Sequence, residues 1–236
     1  MAEVHVLVPA QRHVFAVSNG EAEVAASDDS ADGFRRYKAL QEGGRTAGMV
    51  AFPNTLLIRG ERDYLVDPGL IMQGGPVIGA LQELGVEPGE IKDVILTHLH
   101  FDHAEGLAAW PQRRTYVHRL ETEAPYAQIV SGMLELANLQ VLEGEEGEIE
   151  PGVRWIRTPG HSDGLISLIV ETGDGLVVIA SDCVGPLPEY FDQMDLPEGF
   201  GPEREELLEQ WRRIRELEPA IVIPGHNPPV DLRQTT

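Results

Sequence analysis

Three histidines and an aspartate fall within the seven residues Thr97-His98-Leu99-His100-Phe101-Asp102-His103, in a chain of 236 residues that has only eight histidines. Imidazole nitrogens and carboxylate oxygens at this density are the donors of a transition-metal centre. Three more donors follow the same grammar, in which an apolar run ends and a metal-capable side chain comes next: Val-Arg-Trp-Ile-Arg-Thr-Pro-Gly precedes His161, Leu-Val-Val-Ile-Ala-Ser precedes Asp182, and Ala-Ile-Val-Ile-Pro-Gly precedes His226. The inventory is therefore His98, His100, Asp102, His103, His161, Asp182 and His226, five histidines and two carboxylates. That exceeds the four ligands of one tetrahedral zinc and suits two divalent cations. Zinc is the first expectation, and iron, manganese or cobalt fit the same donors. Two cations sharing one water lower its pKa toward neutrality and present a hydroxide, which is the chemistry of hydrolysis.

The elements that must position these residues can be read from the hydrophobic pattern. Val50–Ile58 and Asp63–Val66 read as strands joined by the turn Arg-Gly-Glu-Arg, the second ending in Asp67-Pro68-Gly69. Residues 76–86 have helical apolar spacing with a glycine stop at Gly85. Val94-Ile95-Leu96 reads as a buried strand leading into the histidines, and residues 104–110 as a helix after them. Strands follow at 115–118, 153–158, 166–172 and 175–181. The last helix, 202–217, carries the stripe Leu207, Leu208, Trp211, Ile214 and Leu217, with Pro202 and three glutamates in its first turn. A strand at 220–224 runs into Gly225-His226. Residues 21–33 and 143–150 read as loops. Mixed strand pairs and helices suggest an α/β (α+β) chain, helices outside two facing sheets, in one domain spanning residues 1–236.

Composition narrows the partners. A net charge of −21 repels phosphate backbones, so nucleic acid is not expected, and a small-molecule substrate is. No run of eighteen apolar residues is present, so no membrane association is expected. The N-terminus lacks a basic start followed by an apolar stretch, and Cys183 is the only cysteine. Both fit a cytoplasmic protein without disulfides, and a cysteine-based zinc finger is excluded.

Taken together, Thr-His-Leu-His-Phe-Asp-His, Thr-Pro-Gly-His-Ser-Asp-Gly, Ser-Asp-Cys and Ile-Pro-Gly-His-Asn resemble the metallo-β-lactamase fold hydrolases. The intervals are 58 residues from His103 to His161, 21 to Asp182 and 44 to His226, and the resemblance covers about residues 46–230. It implies an αββα four-layer sandwich with the metals at the sheet edge. It also implies that His98, His100 and His161 hold one metal, that Asp102, His103 and His226 hold the other, and that Asp182 bridges them. Asp182 and the absence of a secretion signal argue against the antibiotic-cleaving group. The close of the chain ten residues after His226 argues against glyoxalase-type thioesterases. His100 argues against flavin-linked diiron proteins, and the missing basic arm against RNA-processing nucleases. The acyl-homoserine lactonases are most similar in motif and spacing, which implies cleavage of a carboxylic ester or lactone. Thioester hydrolysis, phosphodiester hydrolysis, persulfide oxidation at a single iron and a non-enzymatic metal sensor are the alternatives.

One position departs from the lactonase pattern. Those enzymes carry a tyrosine three residues beyond the bridging aspartate, and this chain has Gly185. Tyr190 is the candidate replacement, and with Asp102 it makes the pair of candidate catalytic residues. Asp67 is a candidate partner for a ligand imidazole, whose tautomer it would fix. Cys183, next to Asp182, should point away from the metals. Residues 119–140 and 185–201 are expected to overhang the site. Leu187, Tyr190, Phe191, Met194, Leu196 and Phe200 would form an apolar lining in the second stretch, whose other reading is loop packing or a homodimer contact. His5, His13 and His118 have no assigned role.

Overall fold

A computed structural model describes residues 1–18, 21–26, 30–197 and 203–234. Two six-stranded sheets dominate it. The first has the order β1 (Glu3–Val8), β5 (Thr55–Arg59), β6 (Asp63–Val66), β7 (Asp93–Ile95), β8 (Arg114–His118), β9 (Asn138–Leu142). The second runs β10 (Glu146–Glu150), β11 (Val153–Arg157), β12 (Ile166–Thr172), β13 (Gly175–Ser181), β14 (Ile221–Pro224), β15 (Val230–Asp231).

Alternation along the strands explains why these sheets stack. In a strand, successive side chains point to opposite faces. Leu56, Ile58, Tyr64, Val66 and Ile95 from the first sheet meet Trp155, Leu168, Val170, Val177 and Ile179 from the second in one buried layer. The intervening residues face outward on each side. Leu57, Leu65 and Val94 pack under helix α2 (Gly74–Glu83) through Val77 and Leu81. Ile156, Ile169, Val178 and Val222 pack under helix α7 (Arg204–Glu216) through Leu207, Leu208, Trp211 and Ile214. Helix, sheet, sheet and helix make the expected αββα sandwich, and the stripe read on the last helix is the one it buries, with Leu217 partly buried beside it.

Three expectations need correction. The run Val50–Ile58 is not one strand. It breaks at Pro53-Asn54 into β4 (Thr46–Phe52) and β5, which belong to different sheets. Pro53 has no N–H to give a ladder, and the Asn54 side chain is committed elsewhere, to Pro224 O, Asn227 O and the Ala10 N–H. Residues 21–33 are not a loop. They contribute β3 (Glu21–Ala26) and the start of helix α1 (Ser30–Glu42), and β3 joins β2 (Gln11–Ser18) and β4 in a third, three-stranded sheet. The acidic run 143–150 ends in the edge strand β10. Its Glu146 and Glu148 face solvent, whereas Glu150 turns inward and accepts hydrogen bonds from the Tyr64 hydroxyl (2.7 Å) and the Glu61 N–H (3.0 Å).

Candidate metal centre

Strand direction brings the candidate ligands to one edge. β6 and β7 are parallel, as are β13 and β14, so the chain leaves all four in the same sense within each sheet. Asp67 follows β6, His98 follows β7, Asp182 follows β13 and His226 follows β14. The Ile166 N–H donates to Thr97 O (3.0 Å) and stitches the two sheets together at this edge. Gly225 is required where it stands, because a Cβ there would overlap Asp182 Oδ1. The histidine motif turns directly into the short helix α3 (Phe101–Ala104), which presents Asp102 and His103. The helix expected from residue 104 thus begins earlier, and Glu105–Ala109 continues as a tighter 3-10 turn.

All seven expected ligands converge. His98, His100 and His161 form one group and Asp102, His103 and His226 another, each with donor atoms within 4.8 Å of one another. Asp182 lies between them: Oδ1 is 3.4 Å from His103 Nε2, and Oδ2 is 3.3 Å from His161 Nε2 and 3.4 Å from His226 Nε2. Asp102 Oδ2 is 3.1 Å from His226 Nε2. His100 Nδ1 lies 2.8 Å from His161 Nε2, and His103 Nε2 lies 3.2 Å from His226 Nε2. Imidazole nitrogens at such separations need a proton or a cation between them. His98 Nε2 and Asp182 Oδ1 are buried with no hydrogen-bond partner among the described residues. Buried polar atoms in that state are costly unless something binds them. The donor set therefore fits divalent cations. A cleft of about 140 Å³ opens beside it, lined in part by His161, Asp182 and His226.

Asp67, Glu121 and Asn54, all buried, hold the donors in place. Asp67 accepts from His103 Nδ1 (2.9 Å), the Thr97 N–H (2.8 Å), Thr97 Oγ1 (2.7 Å) and Ser181 Oγ (3.2 Å). It thereby leaves His103 Nε2 facing the centre, as anticipated. Its φ of 46° is a conformation a non-glycine residue adopts only when its surroundings hold it. Glu121, in the short helix α4 (Arg119–Glu123), binds both histidine loops. Oε2 accepts from the Leu99 N–H (2.8 Å) and the Tyr126 hydroxyl (2.9 Å), and Oε1 accepts from Ser162 Oγ (2.7 Å) and the Gly164 N–H (3.0 Å). Asn54 fastens the His226 turn from both sides through Pro224 O (2.7 Å) and Asn227 O (2.8 Å). Neither Glu121 nor Asn54 was suggested by the sequence, because their partners lie as far as 173 residues away.

Burial holds His98 well below the ordinary imidazole range, reinforced by His103, and burial with His161 lowers His100. His103 and His226 go the other way. Burial opposes their charge, but Asp182 and Asp67 for His103, and Asp182 and Asp102 for His226, overcome it. Asp182 stays ionised, since the surrounding imidazoles outweigh its desolvation.

The remaining sequence candidates fall as follows. Tyr190 packs against the hydrophobic layer under α7 and is not among the residues lining the cleft. Leu187, Phe191 and Leu196 are buried in that same layer, and Met194 packs against it. The apolar lining expected of 185–201 is thus largely spent on the core, and Phe200 lies outside the described residues. Residues 119–140 do reach the site, through Glu121 and through Tyr126, whose ring is 4.7 Å from that of His100. Burial pushes the Cys183 thiol up to about 12, so it is a packed side chain and not a nucleophile. His118 caps α4 by accepting from the Leu120 N–H, His5 pairs with Glu3, and His13 packs on Phe52.

The Metallo-beta-lactamase superfamily model matches residues 48–226. The chain belongs to that superfamily. An N-acyl homoserine lactonase of Bacillus thuringiensis subsp. kurstaki is 33% identical over 158 residues, covering 64% of this chain and 62% of the relative. Less than two thirds of that relative is therefore spanned. A metallo-beta-lactamase-like structure from Thermotoga maritima superposes with a TM-score of 0.68 at 22% identity, covering 98% of this chain and 99% of the other. An N-acyl homoserine lactone hydrolase bearing N-hexanoyl-L-homoserine at its catalytic metal centre superposes with a TM-score of 0.62 at 24% identity, covering 95% and 94%. At these identities both share the fold. Among the described residues no helix is long and apolar enough to cross a membrane.

Two outcomes are expected. Replacing Glu121 by Gln leaves an amide nitrogen facing N–H or O–H donors, so the histidine loops loosen. Cation affinity, read by competition with a chromophoric chelator, should fall ~10–100-fold with the fold intact by circular dichroism. Unchanged affinity would show that Glu121 does not organise the centre. Metal uptake should also release protons, because His103 and His226 hold theirs to higher pH than free imidazole. Affinity should therefore rise with pH, and at neutral pH the calorimetric heat should scale with the buffer's ionisation enthalpy. Heats independent of the buffer would contradict this.

Proposed function

We propose that the protein is a dinuclear metallo-hydrolase of carboxylic esters, lactones included. The observation that carries this is the meeting of two three-residue donor groups at one buried carboxylate, Asp182. His98, His100 and His161 would hold one cation and Asp102, His103 and His226 the other, with Asp182 shared. Nitrogen and carboxylate donors favour zinc, with iron, manganese and cobalt compatible. Such cations supply Lewis acidity and a water that ionises near neutrality.

The chain's own residues account for the rest. Asp67 keeps the His103 tautomer fixed, and Glu121 keeps the two histidine loops in register. Asp102, one-third exposed, is the group placed to carry a proton from the attacking water to the departing alkoxide. Its carboxyl is held below the usual range because, although desolvation is the largest single influence and opposes ionisation, the contacts with His226 and His103 together outweigh it. Phe101, 42% exposed between two ligands, offers apolar surface to an acyl group. The likeness to an N-acyl homoserine lactonase supports lactones among the substrates. Gly185 sets a limit on that likeness. Removing an oxyanion donor typically costs ~10²–10³-fold in rate, so acyl-homoserine lactones should turn over slowly and activated aryl esters faster.

The test is metal analysis of protein purified without added metal, followed by assay on lactones, aryl esters, thioesters and phosphodiesters. Near two cations per chain and ester or lactone cleavage are expected, both lost on Asp182→Ala. Robust phosphodiester cleavage with no ester or lactone opened would overturn the acyl reading.

A further inference from the structure

The size of the cleft beside the centre limits what can enter it. Val184, Pro186 and Leu207 give apolar surface to a cleft that His161, Asp182 and His226 also line. Val184 and Leu207 belong to the hydrophobic layer under α7. Leu207 is packed against the turn that carries His161, since a Cβ at Gly160 would stand 2.9 Å from its Cγ. Pro186 O accepts from Asn227 Nδ2 (3.1 Å) and Arg12 Nη1 (3.4 Å), which ties this wall to the His226 turn. The space that remains is about 140 Å³. An apolar cavity of about 150 Å³ takes up one benzene, so a single six-membered ring is the size of group this cleft accepts.

Gly185, between Val184 and Pro186 on the cleft wall, keeps that space open. Its φ is not in the left-handed region, so the backbone there does not require glycine. No close approach requires it either, because a Cβ would meet nothing within 4 Å. Gly225 is the contrasting case, where a Cβ would overlap Asp182. What the missing side chain supplies at position 185 is therefore free volume. A second observation concerns the departing oxygen. Among the described residues that line the cleft, none carries a hydroxyl to stabilise an alkoxide. A phenol ionises near ~10, whereas water and simple alcohols do so near ~16, so a phenolate departs with far less help.

We propose that the cleft is a subsite for one aromatic ring on the alcohol portion of the ester, and that Gly185 is the specificity-determining residue that opens it. The substrate class is then the single-ring aryl esters. The inference rests on the ester-hydrolase reading above. Phe101 offers its surface to the acyl group, and the cleft lies beside His226, whose neighbour Asp102 carries the proton to the departing oxygen. A ring against Val184, Pro186 and Leu207 buries apolar surface and needs no polar partner. Hydrolysis consumes one water, breaks the bond between the acyl carbon and the phenolic oxygen, and yields a carboxylic acid and a phenol.

The test compares metal-loaded protein on phenyl acetate and on 2,2,2-trifluoroethyl acetate, whose alcohol is activated but small. The phenyl-to-trifluoroethyl ratio of kcat/KM should fall ~10–100-fold in Gly185→Val, mainly through KM, and by less in Gly185→Ala, with the fold intact by circular dichroism. Binding is read separately with the unreactive 4-fluoroanisole, followed by fluorine NMR, and should weaken by a similar factor in Gly185→Val. A ratio unchanged in Gly185→Val, or no binding of 4-fluoroanisole to the unaltered protein, would overturn the ring subsite and leave the ester reading standing. Binding of 4-fluoroanisole that weakens in Gly185→Val, with no ester cleaved, would uphold the ring subsite and overturn the ester reading.

Discussion

The centre depends on the buried carboxylate of Asp67. It takes hydrogen bonds from Thr97 beyond β7, Ser181 at the end of β13 and His103 in α3, so one side chain joins both sheets to a candidate ligand. Such a network is strong only when every member is satisfied. Its geometry requires the chain at Asp67 to take a positive φ, which the turn Asp67-Pro68-Gly69 and the Ile95 O contact to its N–H enforce. Loss of Asp67 would free His103 to rotate and would leave donors at both sheet ends without their acceptor.

From this tie the remaining arrangement follows. Two stacked sheets whose strands end at a common edge bring four strand ends together, and a crowd of imidazoles gathers around Asp182. Like charges would repel there, so some imidazoles stay neutral while others are held charged by the carboxylates. Glu121 and Asn54 apply the same device to the loops, satisfying turn backbone from a side chain anchored elsewhere. These turn backbone groups are satisfied before any cation is considered.

The candidate donor set was legible because His98, His161, Asp182 and His226 each follow a recognisable apolar run and the other three crowd beside His98, and the layering was legible in the mixture of paired strands and helices. What escaped, apart from the Asp67 pairing, was the support made by distant side chains. Glu121 reads as an ordinary helical carboxylate, and Asn54 as a turn residue inside an apolar run. Their roles exist only once Leu99, Gly164 and Pro224 are near them. Tyr190 and its apolar neighbours Leu187, Phe191, Met194 and Leu196 failed as a lining for a related reason. Apolar residues in a loop can serve a pocket or a core, and the Trp211 face of α7 claimed Phe191 at a ring distance of 5.5 Å. Residues 21–33 carried too little hydrophobic pattern to announce a strand and a helix.

The central claim is that two cations share Asp182. It is tested most directly by anomalous diffraction from crystals of the protein purified without added metal, with data collected at the absorption edges of the metals found in it. The account expects two peaks, one among His98, His100 and His161 and one among Asp102, His103 and His226, with Asp182 oxygens in contact with both. Asp67, His98 and His103 also have donor atoms within 4.8 Å of one another. A single peak there, or a single peak of any kind at full metal loading, would contradict the account.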